Sequence, residues 1–189
     1  KISTQILQRD RHAEFMTALA IVGSSLEKFA TEIRNLQRTE IAEAEEYFSP
    51  TQKGSSSMPH KKNPITCERV AGLARVLRGY ALSSLESVTL WHERDISHSS
   101  VERIIVPDAT ILLDYMLYKF TDVIRRLVVY PDNMMRNIQK SSGIIFSQRV
   151  LLELIEKGLT RIEAYNIIQN VSMISRKDDV DFKESLLRD

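Results

Sequence analysis

From Arg11 to Leu36 the chain reads RHAEFMTALAIVGSSLEKFATEIRNL, and Phe15, Leu19, Val22, Leu26, Phe29, Ile33 and Leu36 recur there at alternating spacings of four and three. This is a heptad stripe, the pattern of a helix that buries one face along its length. No proline and one glycine, Gly23, interrupt it, so the stretch predicts a single helix of about 25 residues, roughly 38 Å long at 1.5 Å per residue. A helix of that length needs partner helices beside it.

Two further runs supply candidates. From Pro64 to about Leu90, Val70, Leu73, Leu77, Tyr80 and Ser84 keep the same spacing, while Ala71, Ala74 and Ala81 widen the apolar face with small residues that permit close helix contact. In the third run Ile105, Ala109, Leu112, Met116, Phe120, Val123 and Leu127 form the stripe. Pro107 falls where Val101 to Val106 already reads as helix, so a kink is predicted there rather than a helix start. After Tyr130-Pro131-Asp132 come shorter helical stretches at 132–139, 147–157 and 161–173, with Gly158 placed as a C′ residue and Thr160 with Glu163 as a capping box. No period-2 pattern or hairpin dipeptide stands out. The expected fold is therefore all-α: an elongated bundle of long helices in residues 1–130, followed by a small C-terminal helical layer in 131–189.

Composition narrows the function classes. The 189 residues are 43% hydrophobic, enough for a sizeable core, and 26 basic against 25 acidic residues leave a net charge of +1. Such a balance gives no global field to recruit nucleic acid or an anionic membrane, so any anion site must be local. A single cysteine, Cys67, rules out an internal disulfide framework, and with no Cys/His ligand spacing no metal is expected; a reducing, cytoplasmic setting suits it. Walker and Rossmann glycine patterns are absent, as are a signal-peptide pattern and an apolar run of bilayer length. The sequence opens on Lys1 rather than Met and stops at Asp189 within a helical pattern, which raises the expectation that both ends of the natural protein are missing.

Between the first two long helices lies Gly54-Ser55-Ser56-Ser57-Met58-Pro59-His60-Lys61-Lys62-Asn63-Pro64. Three serines behind a glycine cannot fill a core, and their backbone polar groups need water or a ligand. Asn63 as N-cap and Pro64 as first helical residue are predicted to start the second helix, whose N-terminus could hold a carboxylate or phosphate beside Lys61. Read alone, the segment could equally be a serine-rich linker.

The order Gly-Ser-Ser-x-Met-Pro-x-Lys-x-Asn-Pro resembles the signature of the fumarase/aspartase superfamily of lyases. Ser3-Thr4-Gln5, Leu7-Gln8-Arg9-Asp10-Arg11-His12 and the run from Trp91 to Ser100 extend the resemblance toward the adenylosuccinate lyases, of which His60 within the signature is also typical. That resemblance implies β-elimination of fumarate from adenylosuccinate, giving AMP, and from the succinylcarboxamide intermediate of purine synthesis, without a cofactor. It implies Ser55 as general base; Lys61 and Asn63 on the succinyl carboxylate and oxyanion; Arg69 and Gln5 on substrate; and Arg94, Ser99 and Arg103 on the nucleotide phosphate. Two guanidinium forks and a hydroxyl suit a phosphate. The general acid would be a histidine from outside this sequence, none of His12, His60, His92 and His98 being assigned that role. The implied assembly is a homotetramer with each active site shared between subunits. Without the resemblance, Ser55 would read as a cap or loop-backbone partner, Arg69 as a packing or solvated side chain, and Arg103 as half of a surface pair with a neighbouring glutamate. Argininosuccinate lyase and a catalytically silent assembly module are the competing readings.

Overall fold

A computed structural model of the chain describes residues 7–49, 58 and 60–188. The chain divides into two compact units, Lys1–Val129 and Tyr130–Asp189. Among the described residues seven α-helices are present, and the secondary structure is otherwise one short 3-10 turn and a two-residue strand pair.

The first unit is built on α1 (Asp10–Leu36), α2 (Ile65–Glu86) and α3 (Ser97–Arg125). α1 and α2 run antiparallel, since Arg78 meets Ser24 and Glu27 at mid-helix while Gln37 meets Lys62 at one end. α3 runs parallel to α1, with Arg9 against Glu102 at one end and Phe29 stacked near Phe120 further along. Their shared core holds Met16, Leu26, Ile33, Val70, Ala74, Leu77, Ile105, Met116 and Phe120. The periodicity expected for α2 and α3 is present: Val70, Ala71, Ala74, Leu77, Ala81 and Ser84 are buried on α2, and Ile105, Ala109, Met116, Phe120 and Val123 on α3. On α3 Leu113, rather than Leu112, is the buried member of its turn. Pro107 lies inside α3, which begins ten residues earlier at Ser97.

α1 corrects the sequence reading. Its buried face is Ala13, Met16, Ala20, Gly23, Leu26, Ala30 and Ile33. Of the expected stripe only Leu26 and Ile33 belong to that face, while Phe15, Val22 and Phe29 stand 48%, 40% and 53% exposed. The physical reason is how closely α1 approaches α2. A Cβ on Gly23 would lie 2.6 Å from Cδ1 of Leu77, so only small or slender side chains fit along the contact. The bulky residues are turned aside onto a neighbouring face.

α2 also ends at Glu86, short of the expected Leu90. A second unforeseen feature is β1 (Ala44–Glu45), paired antiparallel with β2 (Val128–Val129) in the register Ala44 to Val129 and Glu45 to Val128. Two residues are too few to carry an alternating pattern. The pair fixes the segment that precedes the signature against the end of α3.

The second unit contains α4 (Pro131–Gln139), α5 (Ser147–Glu156), α6 (Arg161–Asp178) and α7 (Phe182–Arg188) around Ile168, Val171 and Phe182. Thr160 and Glu163 form the expected capping box: Thr160 Oγ1 accepts from the Glu163 N–H and the Thr160 N–H donates to the Glu163 carboxylate. Gly158, with φ +104, takes the left-handed conformation that ends α5.

Leu77 is 1% exposed and packs on the Gly23 contact. Leu77→Ala is expected to lower the unfolding free energy by about 2–5 kcal/mol through the cavity it leaves. Gly23→Val is expected to cost about 1–3 kcal/mol by overpacking the same contact. Urea unfolding followed by circular dichroism measures both as a fall in midpoint.

Candidate functional site

The directions of the three helices set where the candidate residues stand. Lys61 and Asn63 lie where α1 ends and α2 begins; Arg94, Ser99 and Arg103 lie where α3 begins, the end at which Arg9 precedes α1. α1 spans the distance between those ends with 27 residues, about 40 Å at 1.5 Å per residue. Within one chain the two groups cannot meet.

At the first end, the start of α2 is tied to the segment between α1 and the signature. Its free N–H groups are taken by Glu46: Thr66 N donates to both carboxylate oxygens at 3.1 Å and Cys67 N to Oε2 at 3.1 Å. This corrects the expected cap. Pro64 occupies the N-cap position without a side-chain cap bond, and Asn63 does not cap. A carboxylate already satisfies the N–H groups and the helix dipole, so the α2 terminus has little left to offer a substrate anion or a serine base. Gln37, the residue after α1, completes the tie: its Nε2 donates to the Lys62 carbonyl at 2.9 Å and its Oε1 accepts from the Glu46 N–H at 3.0 Å. Lys62 Nζ lies 3.0 Å from Glu45 Oε1.

A cleft of about 620 Å³ opens beside this tie. Arg34 of α1 and Arg38, two residues beyond its end, line it together with His60, Lys61, Lys62 and Asn63, and among the described residues Glu68 is its one carboxylate. With Lys62 paired to Glu45, the charges of Arg34, Arg38 and Lys61 outweigh that of Glu68 among the described residues and give a local positive field in a chain of net charge +1. Carboxylates and phosphates are the groups such a surface favours. Lys61 is exposed and Asn63 half-buried. Arg69, one residue beyond Glu68 on α2, is exposed and does not line the cleft.

At the opposite end Arg94 and Arg103 are exposed and Ser99 is half-buried. Asp95 shapes the turn that carries Arg94, accepting from Trp91 N at 2.8 Å and from Ser97 N at 2.7 Å as well as from the Ser97 hydroxyl. The hydroxyl bond first, then the two backbone N–H bonds, lower its carboxyl from 3.8 to about 2. Its ionised form is therefore favoured by the fold, and that preference is complete above about pH 4 and lost as the pH falls through 2. Glu102 pairs at 2.7 Å with Arg9, not with its neighbour Arg103, which leaves the Arg103 guanidinium outside that pair. His98 is buried, and Nδ1 of both His98 and His12 is enclosed without a hydrogen-bond partner among the described residues. Among those residues no three His, Cys, Asp or Glu side chains converge as a metal site would require.

Ser55 and Gln5 lie outside the described residues. The residues that sequence reading passed over are Arg34, Arg38, Gln37, Glu46 and Glu68. The carboxylate run in Thr39-Glu40-Ile41-Ala42-Glu43-Ala44-Glu45-Glu46 was the available signal for the cap, since such a run ahead of a helix start has unpaired N–H groups within reach. Nothing in the local pattern separated Arg34 and Arg38 from ordinary solvated helix cations.

Residues 1–79 match the family model described as "Lyase", and residues 143–189 match the one described as "Adenylosuccinate lyase C-terminus". The chain is 57% identical over 183 residues to adenylosuccinate lyase of Bacillus subtilis (strain 168), a match covering 97% of this chain and 42% of that protein. It thus spans less than half the length of that relative. Among solved structures it resembles the 3-carboxy-cis,cis-muconate lactonizing enzyme from Pseudomonas putida at 28% identity and TM-score 0.82, over 94% of this chain and 40% of that one. It also resembles a fumarate lyase from Mesorhizobium sp. BNC1 at 28% identity and TM-score 0.82, over 95% of this chain and 38% of that one.

Cys67 reports on the Glu46 cap. Burial first, and then the negative charge of Glu46, push its thiol from 9.0 up to about 12. The neutral thiol is thus favoured by the fold below pH 9, and that contribution is lost as the pH rises from 9 toward 12. A thiol-reactive dye at pH 8 is expected to leave Cys67 unlabelled until the protein unfolds. Glu46→Gln, which removes the charge from the cap, should lower the urea concentration at which labelling begins, and an unaltered concentration would contradict a stabilising cap.

Proposed function

Because the chain belongs to the fumarase/aspartase superfamily of lyases, we propose that the whole protein eliminates fumarate from adenylosuccinate and from the succinylcarboxamide intermediate of purine synthesis. What carries the reading is the position of Lys61 and Asn63 on a cationic cleft, in a chain 57% identical to an adenylosuccinate lyase. The hydrogen beside a carboxylate is weakly acidic, so its removal requires a positioned base and positive charge or N–H donors where the second negative charge develops. Ser55 takes that proton. Lys61 and Asn63 hold the succinyl carboxylate as it becomes an aci-carboxylate, with Arg34 and Arg38 adding to the field. As the C–N bond breaks, the departing nitrogen is protonated by a histidine from outside this sequence, and fumarate leaves.

Since Glu46 occupies the α2 terminus, the positive surroundings that make a serine hydroxyl basic come from Lys61 and the cleft's guanidinium groups rather than from the helix dipole. Arg94, Ser99 and Arg103 bind the nucleotide phosphate, and Gln5 and Arg69 contact the remainder of the substrate. The two groups stand at opposite ends of α1, 27 residues apart along the helix, so a complete site takes Lys61 from one copy and Arg94 and Arg103 from another. A homotetramer with subunits side by side and reversed satisfies that requirement. Half-exposed Phe15, Val22 and Phe29 with exposed Ile111 and Tyr118 supply apolar surface for it. A cytoplasmic location goes with the proposed nucleotide substrates. Among the described residues no helix is long and apolar enough to cross a membrane.

With the whole protein, adenylosuccinate should yield fumarate, followed by ultraviolet absorbance, and argininosuccinate should not. Ser55→Ala is expected to lower kcat by at least about 10²-fold, the usual loss on removing a positioned base, with the tetramer retained by sedimentation. Arg103→Met should chiefly raise KM for the nucleotide. When the Ser55→Ala and Arg103→Met proteins are dissociated, mixed and reassembled, and assayed at a nucleotide concentration too low for Arg103→Met alone to turn over, activity should return, because some sites then receive both intact ends. Mixed tetramers that stay inactive would place both groups in one subunit's site.

A further inference from the structure

We propose that Gln37 is a positioning residue: its side-chain amide clamps the peptide between Lys62 and Asn63, and so sets where Lys61 and Asn63 stand in the cleft. The kinetic part of this inference rests on the function proposed above; the structural part does not.

The geometry supports the clamp at both ends of one amide. Nε2 donates to the Lys62 carbonyl at 2.9 Å, across 25 residues of sequence, and Oε1 accepts from the Glu46 N–H at 3.0 Å. A primary amide is the side chain that supplies a donor and an acceptor at once without charge. Gln37 is itself anchored, since its backbone N–H closes α1 on the Ile33 carbonyl at 3.0 Å and its side chain is half-buried. Glu46 in turn holds Thr66 and Cys67 at the start of α2. The chain of bonds thus runs from the rigid end of α1 through one side chain to both the exit of the signature and the start of the next helix. The backbone bonds of Lys61 N to the Met58 carbonyl at 3.0 Å, Ile65 N to the Asn63 carbonyl at 2.9 Å and Glu68 N to the Pro64 carbonyl at 2.9 Å are all local. The Gln37 bond refers this short segment to the end of a long helix. Groups that stabilise charge in a transition state lose effect when they move by a fraction of a bond length.

Two variants separate the two ends of the amide. Gln37→Leu removes both bonds, whereas Gln37→Glu keeps an acceptor for the Glu46 N–H and sets a carboxylate against the Lys62 carbonyl. Amide hydrogen exchange in the whole protein should show faster exchange at Lys61 in both variants, and at Thr66 and Cys67 in Gln37→Leu alone, with mid-α2 unchanged. Steady-state fumarate release should show kcat reduced about tenfold or more in both, with KM changed much less. Exchange at Lys61 equal to wild type in both variants would overturn the clamp. Faster exchange with kcat unaltered would overturn its positioning role. If Gln37→Leu fails to fold, Gln37→Glu decides by the same two measurements. If the unaltered protein releases no fumarate from adenylosuccinate, the proposed function fails, and the exchange data still decide whether the clamp exists.

Discussion

The start of α2 has N–H groups that its own helix cannot satisfy, and the carboxylate of Glu46 satisfies two of them. Much of the local architecture follows from this bond. Glu46 must come within 3.1 Å of Thr66 and Cys67, so the segment after α1 folds back across the mouth of α2. Its neighbours Ala44 and Glu45 then pair with Val129 and Val128, and the signature leaves between two fixed points. The cap also settles which positive charge is available nearby. A dipole neutralised by the protein's own carboxylate has little left for a ligand, and the field of the cleft rests on the side chains of Arg34, Arg38 and Lys61.

Packing within the bundle shows a similar division of labour. α1 and α2 approach closely because Ala13, Ala20, Gly23 and Ala30 face inward, with Gly23 against Leu77. That closeness fixes the relation of Gln37 to Lys62 far more tightly than a contact through long side chains would. It also displaces Phe15, Val22 and Phe29 to a face left about half exposed in the single chain. One helix therefore carries two apolar surfaces, a face rich in small residues buried in its own chain and a bulkier one left about half exposed. An exposed surface of that kind on a long helix is what association through helices requires.

The bundle also keeps its two groups of candidate side chains apart. α1 is 27 residues long and the groups sit at its two ends, a separation no side-chain rearrangement closes. The same rigidity that holds Lys61 by way of Gln37 prevents Arg94 and Arg103 of that chain from reaching it. Asp95, fixed by Trp91 and Ser97, holds the far turn as Glu46 holds the near one. Each half of the candidate site is thus built around a carboxylate that binds backbone N–H groups and leaves the neighbouring cations facing outward.

The sequence alone determined the helical class, the three long helices, the capping box at Thr160 and Glu163, and the lyase family to which its signature belongs. Those features are written in local periodicity, cap chemistry and a dense motif. Tertiary structure decided which face of α1 is buried, because a stripe of large apolar residues marks a face that will be covered without saying whether its own chain or another covers it. It likewise decided that Glu46, not Asn63, caps α2, that Gln37 reaches Lys62 across 25 residues, and that Arg34 and Arg38 share a cleft with Lys61. Those relations depend on how closely two helices approach and where the chain turns back between them, and that distance is set by packing in three dimensions rather than by the spacing of residues along the chain.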